Sequence, residues 1–418
     1  MRAALERLLI LLLVLAGTAP LRAQTYKLKP VGSADGLTNS FVHALAQDAT
    51  GRLWIGTGEG AGRYDGRQVT MYTTADSLSE NFVASIHPAK DGCIWFGHNE
   101  GGISRYIDGV FHKVNTADIT SSSINAIIDD GNGGIWAAAQ NNGIIHVSAD
   151  GTCRPGATME GVLWYSLLAL NDGLLLAGAS DGLHLLQISP DGTLIFTGNL
   201  SNVTRSSVNA MVARPGSNRI CAGTGDEGVI SFSMAGMSPS MISSIGAKAG
   251  LGELQVRDLA IGAYGQLIVG TFGQGAYEID LQGDSIKSLL HYDLGNGLGS
   301  DNVDVVFPDT ENNLWFARFG LGLARLLDRS VVYYAAKAGS AKDVRAIAFH
   351  GNDVWFGIRG AILHALNNDM RQLDTLGAAN GIPPEAITAL IAGEDGRLCI
   401  GTATSGARSR CASGRWPR

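Results

Sequence analysis

Gly51-Arg52-Leu53-Trp54-Ile55-Gly56-Thr57 decides how this chain is read. It returns as Gly92-Cys93-Ile94-Trp95-Phe96-Gly97-His98 and again as Gly133-Gly134-Ile135-Trp136-Ala137-Ala138-Ala139. Trp54, Trp95 and Trp136 stand 41 residues apart. Looser copies follow at residues 173–179, 218–224, 265–271, 312–318, 352–358 and 396–402, which makes nine. The small residue closing each block (Gly56, Gly97, Ala138, Gly178, Gly223, Gly270, Ala317, Gly357, Gly401) recurs every 40 to 47 residues. A period of this length marks stacked supersecondary units.

Working outward from the block, each copy alternates with the two-residue period of a strand. In the second copy, Phe82-Val83-Ala84-Ser85-Ile86 is one strand, Asp91-Gly92 a turn and Cys93 to Gly97 the next strand. Glu100-Gly101-Gly102 turns into Ile103-Ser104-Arg105-Tyr106, and Asp108-Gly109 into Val110 to Val114. Glycine accepts the positive φ of such hairpin turns. Four short antiparallel strands per copy make a propeller blade, and a lone blade cannot bury both faces. The expected fold class is therefore all-β: a β-propeller with one seven-bladed ring of four-stranded antiparallel blades plus an incomplete second propeller.

The ring is expected over residues 24–335, with 336–402 as the first two blades of a truncated second propeller. Residues 403–418 are expected to be an irregular tail from a truncated or frameshifted reading frame. Two segments compete to complete the seventh blade, Tyr26 to Pro30 and Val331-Val332-Tyr333-Tyr334, and the residues leave the choice open. Trp54, Trp95, Trp136, Trp315 and Trp355 are read as core between sheets. Gly56, Gly97, Gly178, Gly223, Gly270, Gly357 and Gly401 are read as places where backbones crowd together.

Residues 1–23 have the form of a secretory signal, with Arg2 and Arg7 before an apolar run from Leu8 to Ala16 and small residues near Ala23. Cleavage after Ala23 is expected; an uncleaved anchor is the alternative, and either places the bulk of the chain in the periplasm or beyond. Loss of this segment moves the formal charge from -7 to 28 - 37 = -9. Nucleic acid is therefore not an expected partner, and a membrane is expected only through a missing downstream segment or the uncleaved signal. Five cysteines (Cys93, Cys153, Cys221, Cys399, Cys411) are too scattered for a disulfide framework. Cys221 and Cys399 fall on strand positions read as buried.

The run Gly36-Leu37-Thr38-Asn39-Ser40-Phe41 through Trp54-Ile55-Gly56-Thr57 to Tyr64-Asp65-Gly66 resembles the two-component regulator propeller repeat. The second copy, ending Gly101-Gly102-Ile103-Ser104-Arg105-Tyr106-Ile107-Asp108-Gly109, is similar to it as well. The resemblance covers roughly residues 36–402 and implies the extracytoplasmic sensor of a membrane-bound regulator such as a hybrid histidine kinase. In that family two seven-bladed propellers usually precede a β-sandwich, a membrane span and a kinase.

No Walker A run, HExxH or GxSxG occurs, and no cofactor or metal is expected. His43 and His87 are read as structural histidines of first strands, and Asp91-Gly92 and Asp395-Gly396 as plain turns. A ligand is expected at the turns between second and third strands, where side chains of different copies converge. The turns contribute Glu59, His98, Asn99, Glu100, Gln140, Asn141, Asn142, Asp181, Asp226, Glu227, Gln274, Arg318 and Phe319, a polar, neutral-to-acidic and amide-rich set that could hydrogen-bond a neutral carbohydrate. Arg318 and Phe319 stand out because they break the Gly-Thr pattern and set a cation beside an aromatic; a packing substitution is the alternative. The leading expectation is a periplasmic ligand-sensing propeller of a two-component system without its output domains, not itself an enzyme. By the resemblance its partner is a small ligand such as an oligosaccharide, with homodimerisation as a further expectation. The alternatives are a propeller scaffold of a secretion or cell-surface assembly, and a streptogramin-lyase-like propeller enzyme.

Overall fold

The computed structural model describes residues 24–116, 120–171, 173–326, 333–334, 344–350, 353–365, 373–382, 384–393, 398–403 and 410–412. The expected export signal, residues 1–23, and Val331-Val332 lie outside the described residues. The chain divides into a unit spanning Leu28–Arg329 and a second unit made of the flanking segments.

Leu28–Arg329 holds seven four-stranded antiparallel sheets. Blades 1 to 6 are each a run of four consecutive strands, with first strands Val42–Gln47, Val83–Pro88, Ile124–Asp129, Trp164–Ala169, Val208–Ala213 and Val256–Ile261. Blade 7 takes Val303–Pro308, Leu314–Arg318 and Gly322–Leu326 from one end of the unit and Leu28–Val31 from the other. Each first strand packs against that of the next blade, and that of blade 7 against that of blade 1, so the ring closes. The closing strand left open by the sequence is thus the N-terminal one: Leu28 pairs with Leu326, and Val31 with Leu323. Pro30 is tolerated because it lies on the outer edge strand, where a missing N–H breaks no ladder.

The repeated residues have a common mechanical reason. A Cβ built on Gly97 would lie 2.3 Å from Ser85 Oγ and 2.6 Å from Ile124 Cγ2, and one on Gly223 would lie 2.4 Å from Val256 Cγ1. The second strand of one blade therefore touches the first strand of the next through a position with no room for a side chain. Blades 3 and 7 manage with buried Ala138 and Ala317. The tryptophans fill the wedge beside this contact, and Trp54, Trp95, Trp136 and Trp315 are all buried. Trp54 meets Phe96 and Tyr106 edge-on at 5.3 and 4.8 Å between blades 1 and 2. Its indole N–H donates to Asp48 Oδ2, and that of Trp315 to Asp309 Oδ2, six residues earlier in both cases. In blade 3 the equivalent carboxylate, Asp130, is engaged by His146 at 2.8 Å instead, and the Trp136 N–H has no partner among the described residues.

The second unit pairs Gln24–Thr25 with Tyr333–Tyr334. It also holds a four-stranded sheet of Ala346–His350, Asp353–Ile358, Ala361–Ala365 and Leu373–Leu376, and a three-stranded sheet of Ile387–Ala392, Leu398–Thr402 and Arg410–Ala412. Trp355, Ile362, Ile387 and Leu390 share a core between these two sheets. The tail was expected to be irregular from residue 403, but Arg410–Ala412 pairs with Leu398–Ile400. Cys399 is only partly buried, unlike the fully buried Cys221.

Candidate functional site

Every first strand of the ring carries a β-bulge after its opening residue. Val42 pairs with Thr57 and Ala44 with Gly56, which leaves His43 unpaired. The same slip leaves out Ala84, Asn125, Tyr165, Asn209, Arg257 and Asp304 in blades 2 to 7. A bulge turns its extra residue out of the ladder and re-aims the side chain. Repeated seven times around a ring, it delivers seven side chains to one cavity on the axis.

The cavity has a volume of about 790 Å³ and is lined by residues of all seven blades. Three columns supply most of the lining. They are the bulged residues, the residue before each first strand (Phe82, Ser123, Ser207, Gln255), and the residue just past the second strand (Asn99, Gln140, Gly225, Phe272, Phe319). The wall is amides, hydroxyls and aromatic faces, with Arg257 and Asp304 as its fixed charges. His43 lies flat against Phe82, centroids 4.5 Å apart, and burial lowers its pKa, so it is neutral at physiological pH. Burial likewise raises the pKa of the Tyr165 phenol, which stays a donor.

Side chains near the bulges stitch neighbouring blades together beneath the cavity. Ser85 Oγ donates to Ile124 O at 2.6 Å, Asn125 Nδ2 to Trp164 O at 2.8 Å, Ser166 Oγ to Val208 O at 3.1 Å and Asn209 Nδ2 to Val256 O at 2.7 Å. Between blades 6 and 7 the polarity reverses: the Val306 N–H donates to Asp258 Oδ2 at 3.0 Å. Asn125 and Asn209 therefore spend their donors on the scaffold.

Of the thirteen turn residues singled out by sequence, the structure brings Asn99, Gln140 and Phe319 to the cavity. The reason is register. The first residue after the second strand still heads toward the axis, whereas the following ones already turn back into the third strand. Glu59, Glu100, Asn141, Asn142, Asp181, Asp226, Glu227 and Gln274 occupy those later positions and do not line it. Their groups serve the turns: the Glu100 N–H donates to Glu80, the Asn141 N–H to Ser122 Oγ, and the Glu227 carboxylate accepts from Thr204 Oγ1. Asp181 holds His184 at 2.8 Å, and the Gln274 carbonyl meets the His291 ring.

His98 and Arg318 end second strands and face into the blade. The His98 ring is wholly buried between Phe82 O and Ser104 Oγ, and burial lowers its pKa to about 4. In blades 1, 5 and 6 this position is a threonine whose hydroxyl donates to the glycine carbonyl opening the third strand, as Thr57 does to Gly60 O. Arg318 spends its guanidinium around the corresponding turn, on the carbonyls of Leu298, Leu321 and Leu323, which flank the equivalent Gly322 in the last two cases. It is the packing substitution rather than the ligand-facing cation. Phe319 faces the cavity, its ring edge-on to Phe41 at 5.2 Å. His43, read from sequence as structural, is a cavity residue. Among the described residues no three histidine, cysteine, aspartate or glutamate side chains gather as a metal-binding group.

Comparison with known proteins agrees with this architecture. Residues 36–59, which hold the first strand of blade 1 and the whole of its Gly51 to Thr57 block, match the two component regulator propeller family. No curated protein matches the chain. The extracellular domain of a protein described as a hybrid two component system of B. thetaiotaomicron superposes with a TM-score of 0.71 at 18% identity, over 91% of this chain and 53% of its own. Virginiamycin B lyase of Staphylococcus aureus gives 0.57 at 14% identity, over 72% of this chain and 98% of its own. PorZ, a bacterial surface component of the type-IX secretion system of Porphyromonas gingivalis, gives 0.52 at 14% identity, over 87% and 50%. The chain spans about half the length of the two-component extracellular domain it matches. At these identities what is shared is the fold. Residues 36–59 thus match the two component regulator propeller repeat, within a chain whose fold is a β-propeller.

Proposed function

We propose that the chain is an exported ligand-sensing propeller of a two-component regulatory system, and that its ligand is a neutral saccharide held in the axial cavity. The observation that carries this reading is the contrast between the repeat and the bulge. Where the blades pack, the residues recur; at the bulge, seven equivalent positions hold His43, Ala84, Asn125, Tyr165, Asn209, Arg257 and Asp304. A purely structural column would repeat, whereas a column that surrounds one asymmetric ligand need not. Amide and hydroxyl groups at fixed positions, with Phe82, Phe272 and Phe319 between them, suit a ring that presents hydroxyls at its edge and C–H groups on its face. The cavity volume matches a ligand of two or three sugar rings in scale. No reaction is assigned to the chain in this reading; signal output belongs to other domains.

The test is calorimetric titration of the full chain with neutral trisaccharides (maltotriose, cellotriose, xylotriose, mannotriose), followed by repetition with Gln140→Ala and Phe319→Ala. Binding by at least one sugar that weakens tenfold or more in either variant supports the proposal. Absence of binding across the set, or binding indifferent to both substitutions, refutes it.

A further inference from the structure

Most cavity-lining groups are neutral, and the two fixed charges sit together on the bulges of adjacent blades, Arg257 in blade 6 and Asp304 in blade 7. Their closest approach is 3.9 Å, from Arg257 Nε to Asp304 Oδ1. This is an ion pair by distance but too long for a hydrogen bond. Three other arginines of the ring donate to protein groups: Arg318 to three carbonyls, Arg219 to Asp284, Ser243 and Met241 O, and Arg154 to His146 and Gly192 O. Arg257 rests on the Phe272 ring at 5.3 Å, and among the described residues no side-chain hydrogen bond ties down its guanidinium or the Asp304 carboxylate. The Arg257 side chain is half exposed and that of Asp304 only 22% exposed. Burial raises the pKa of Asp304, and Arg257 opposes this without cancelling it.

We infer that Arg257 and Asp304 are the specificity-determining clamp of the cavity, and that they read two hydroxyls on neighbouring carbons of a sugar ring. This rests on the saccharide reading above and names the groups that select the sugar. Asp304 accepts from one hydroxyl and Arg257 donates to the next. A diol fits a donor and an acceptor that face one space without bonding each other, and charge-assisted hydrogen bonds of this kind are the stronger sort. The Phe272 ring, 5.3 Å from the guanidinium carbon, gives Arg257 a face to rest on and reduces the side-chain freedom lost on binding. A carboxylated sugar could also use Arg257, but it would bring a second negative charge beside Asp304.

The experiment titrates the full chain and its Asp304→Asn, Arg257→Gln and Arg257→Lys variants with the four neutral trisaccharides and with trigalacturonate. For the tightest neutral binder, singly deoxygenated analogues are titrated as well. The clamp predicts at least tenfold weaker binding in Asp304→Asn and Arg257→Gln and partial recovery in Arg257→Lys. It also predicts that removing one ring hydroxyl weakens the wild type but leaves Asp304→Asn nearly unaffected, a coupling that a merely structural role would not produce. If a neutral sugar binds and both variants keep its Kd within twofold, the clamp is wrong while the saccharide reading stands. If trigalacturonate alone binds, Arg257 is a carboxylate receptor and both readings are wrong. If no sugar binds, both fail together.

Discussion

Replacing Asp258 by Asn should stabilise the ring at neutral pH and not at acid pH. Asp258 follows the blade 6 bulge, at the position held by Ala44, Ser85, Ala126, Ser166, Ala210 and Val305 elsewhere. Its carboxylate takes the Val306 N–H of the next blade and its own neighbour's, Leu259 N–H at 2.8 Å. Burial nevertheless outweighs these bonds and raises its pKa from 3.8 to about 6. The native state therefore keeps this proton up to about pH 6, while the unfolded chain releases it near the ordinary carboxylate value. Between the two values the native state binds more protons, so stability falls as pH rises. At ~1.36 kcal/mol per pH unit, the gap amounts to about 3 kcal/mol lost by pH 8. Asn keeps an acceptor for Val306 and removes the charge, at the cost of a weaker hydrogen bond worth about 1 kcal/mol. Urea denaturation followed by tryptophan fluorescence should show the variant level with or slightly below wild type at pH 4 and about 2 kcal/mol ahead at pH 8. Taking the difference between the two proteins cancels the titration of every other group. A difference that is flat with pH, or that grows toward acid, would refute the assignment of a strained buried carboxylate at this position.

Gly97→Ala should cost about 1–3 kcal/mol, because its methyl would overlap Ser85 Oγ and Ile124 on two sides. Gly198→Ala, whose Cβ meets nothing within 4 Å, should stay within about 0.5 kcal/mol, and equal effects on thermal melting would contradict the blade-contact explanation. Asp284, in the hairpin between the last two strands of blade 6, reaches over blade 5 to Arg219, Ser231 Oγ and Ser243 Oγ. Asp284→Ala strands the mostly buried Arg219 guanidinium; with Asp284 itself about a quarter exposed, a loss of about 2–3 kcal/mol is expected, and a melting temperature unchanged from wild type would show that water replaces the pair.

The scaffold could be read from sequence because it repeats. The Gly-Leu-Trp-type block encodes a contact made once per blade, with a glycine where the next strand leaves no room and a tryptophan beside it, and physics asks for the same answer each time. The pairing of Asp284 with Arg219 carries no such signal, since it depends on how far one hairpin overhangs its neighbour. The closing strand was ambiguous for a related reason: Leu28–Val31 and the segment before Tyr334 both offer short apolar alternation, and only three-dimensional register chooses between them.

The cavity was legible only in part, and for the opposite reason. A repeat search rewards sameness, whereas the residues at the axis differ from blade to blade. Turn chemistry pointed to the end of the ring where this cavity lies, and Asn99, Gln140 and Phe319 followed from it. The bulge was missed because one extra residue breaks a two-residue alternation without leaving a glycine or proline to mark it. A trace existed. In each first strand the second residue varies among histidine, alanine, asparagine, tyrosine, arginine and aspartate, although the residue before it is always bulky and apolar. Variation confined to one column of an otherwise uniform repeat is what a rigid ring requires if it is to hold a ligand that lacks the ring's own symmetry. The same criterion separates Arg257 from Arg318: both break the repeat, but Arg318 donates its guanidinium to three backbone carbonyls around its own turn, while among the described residues Arg257 makes no side-chain hydrogen bond.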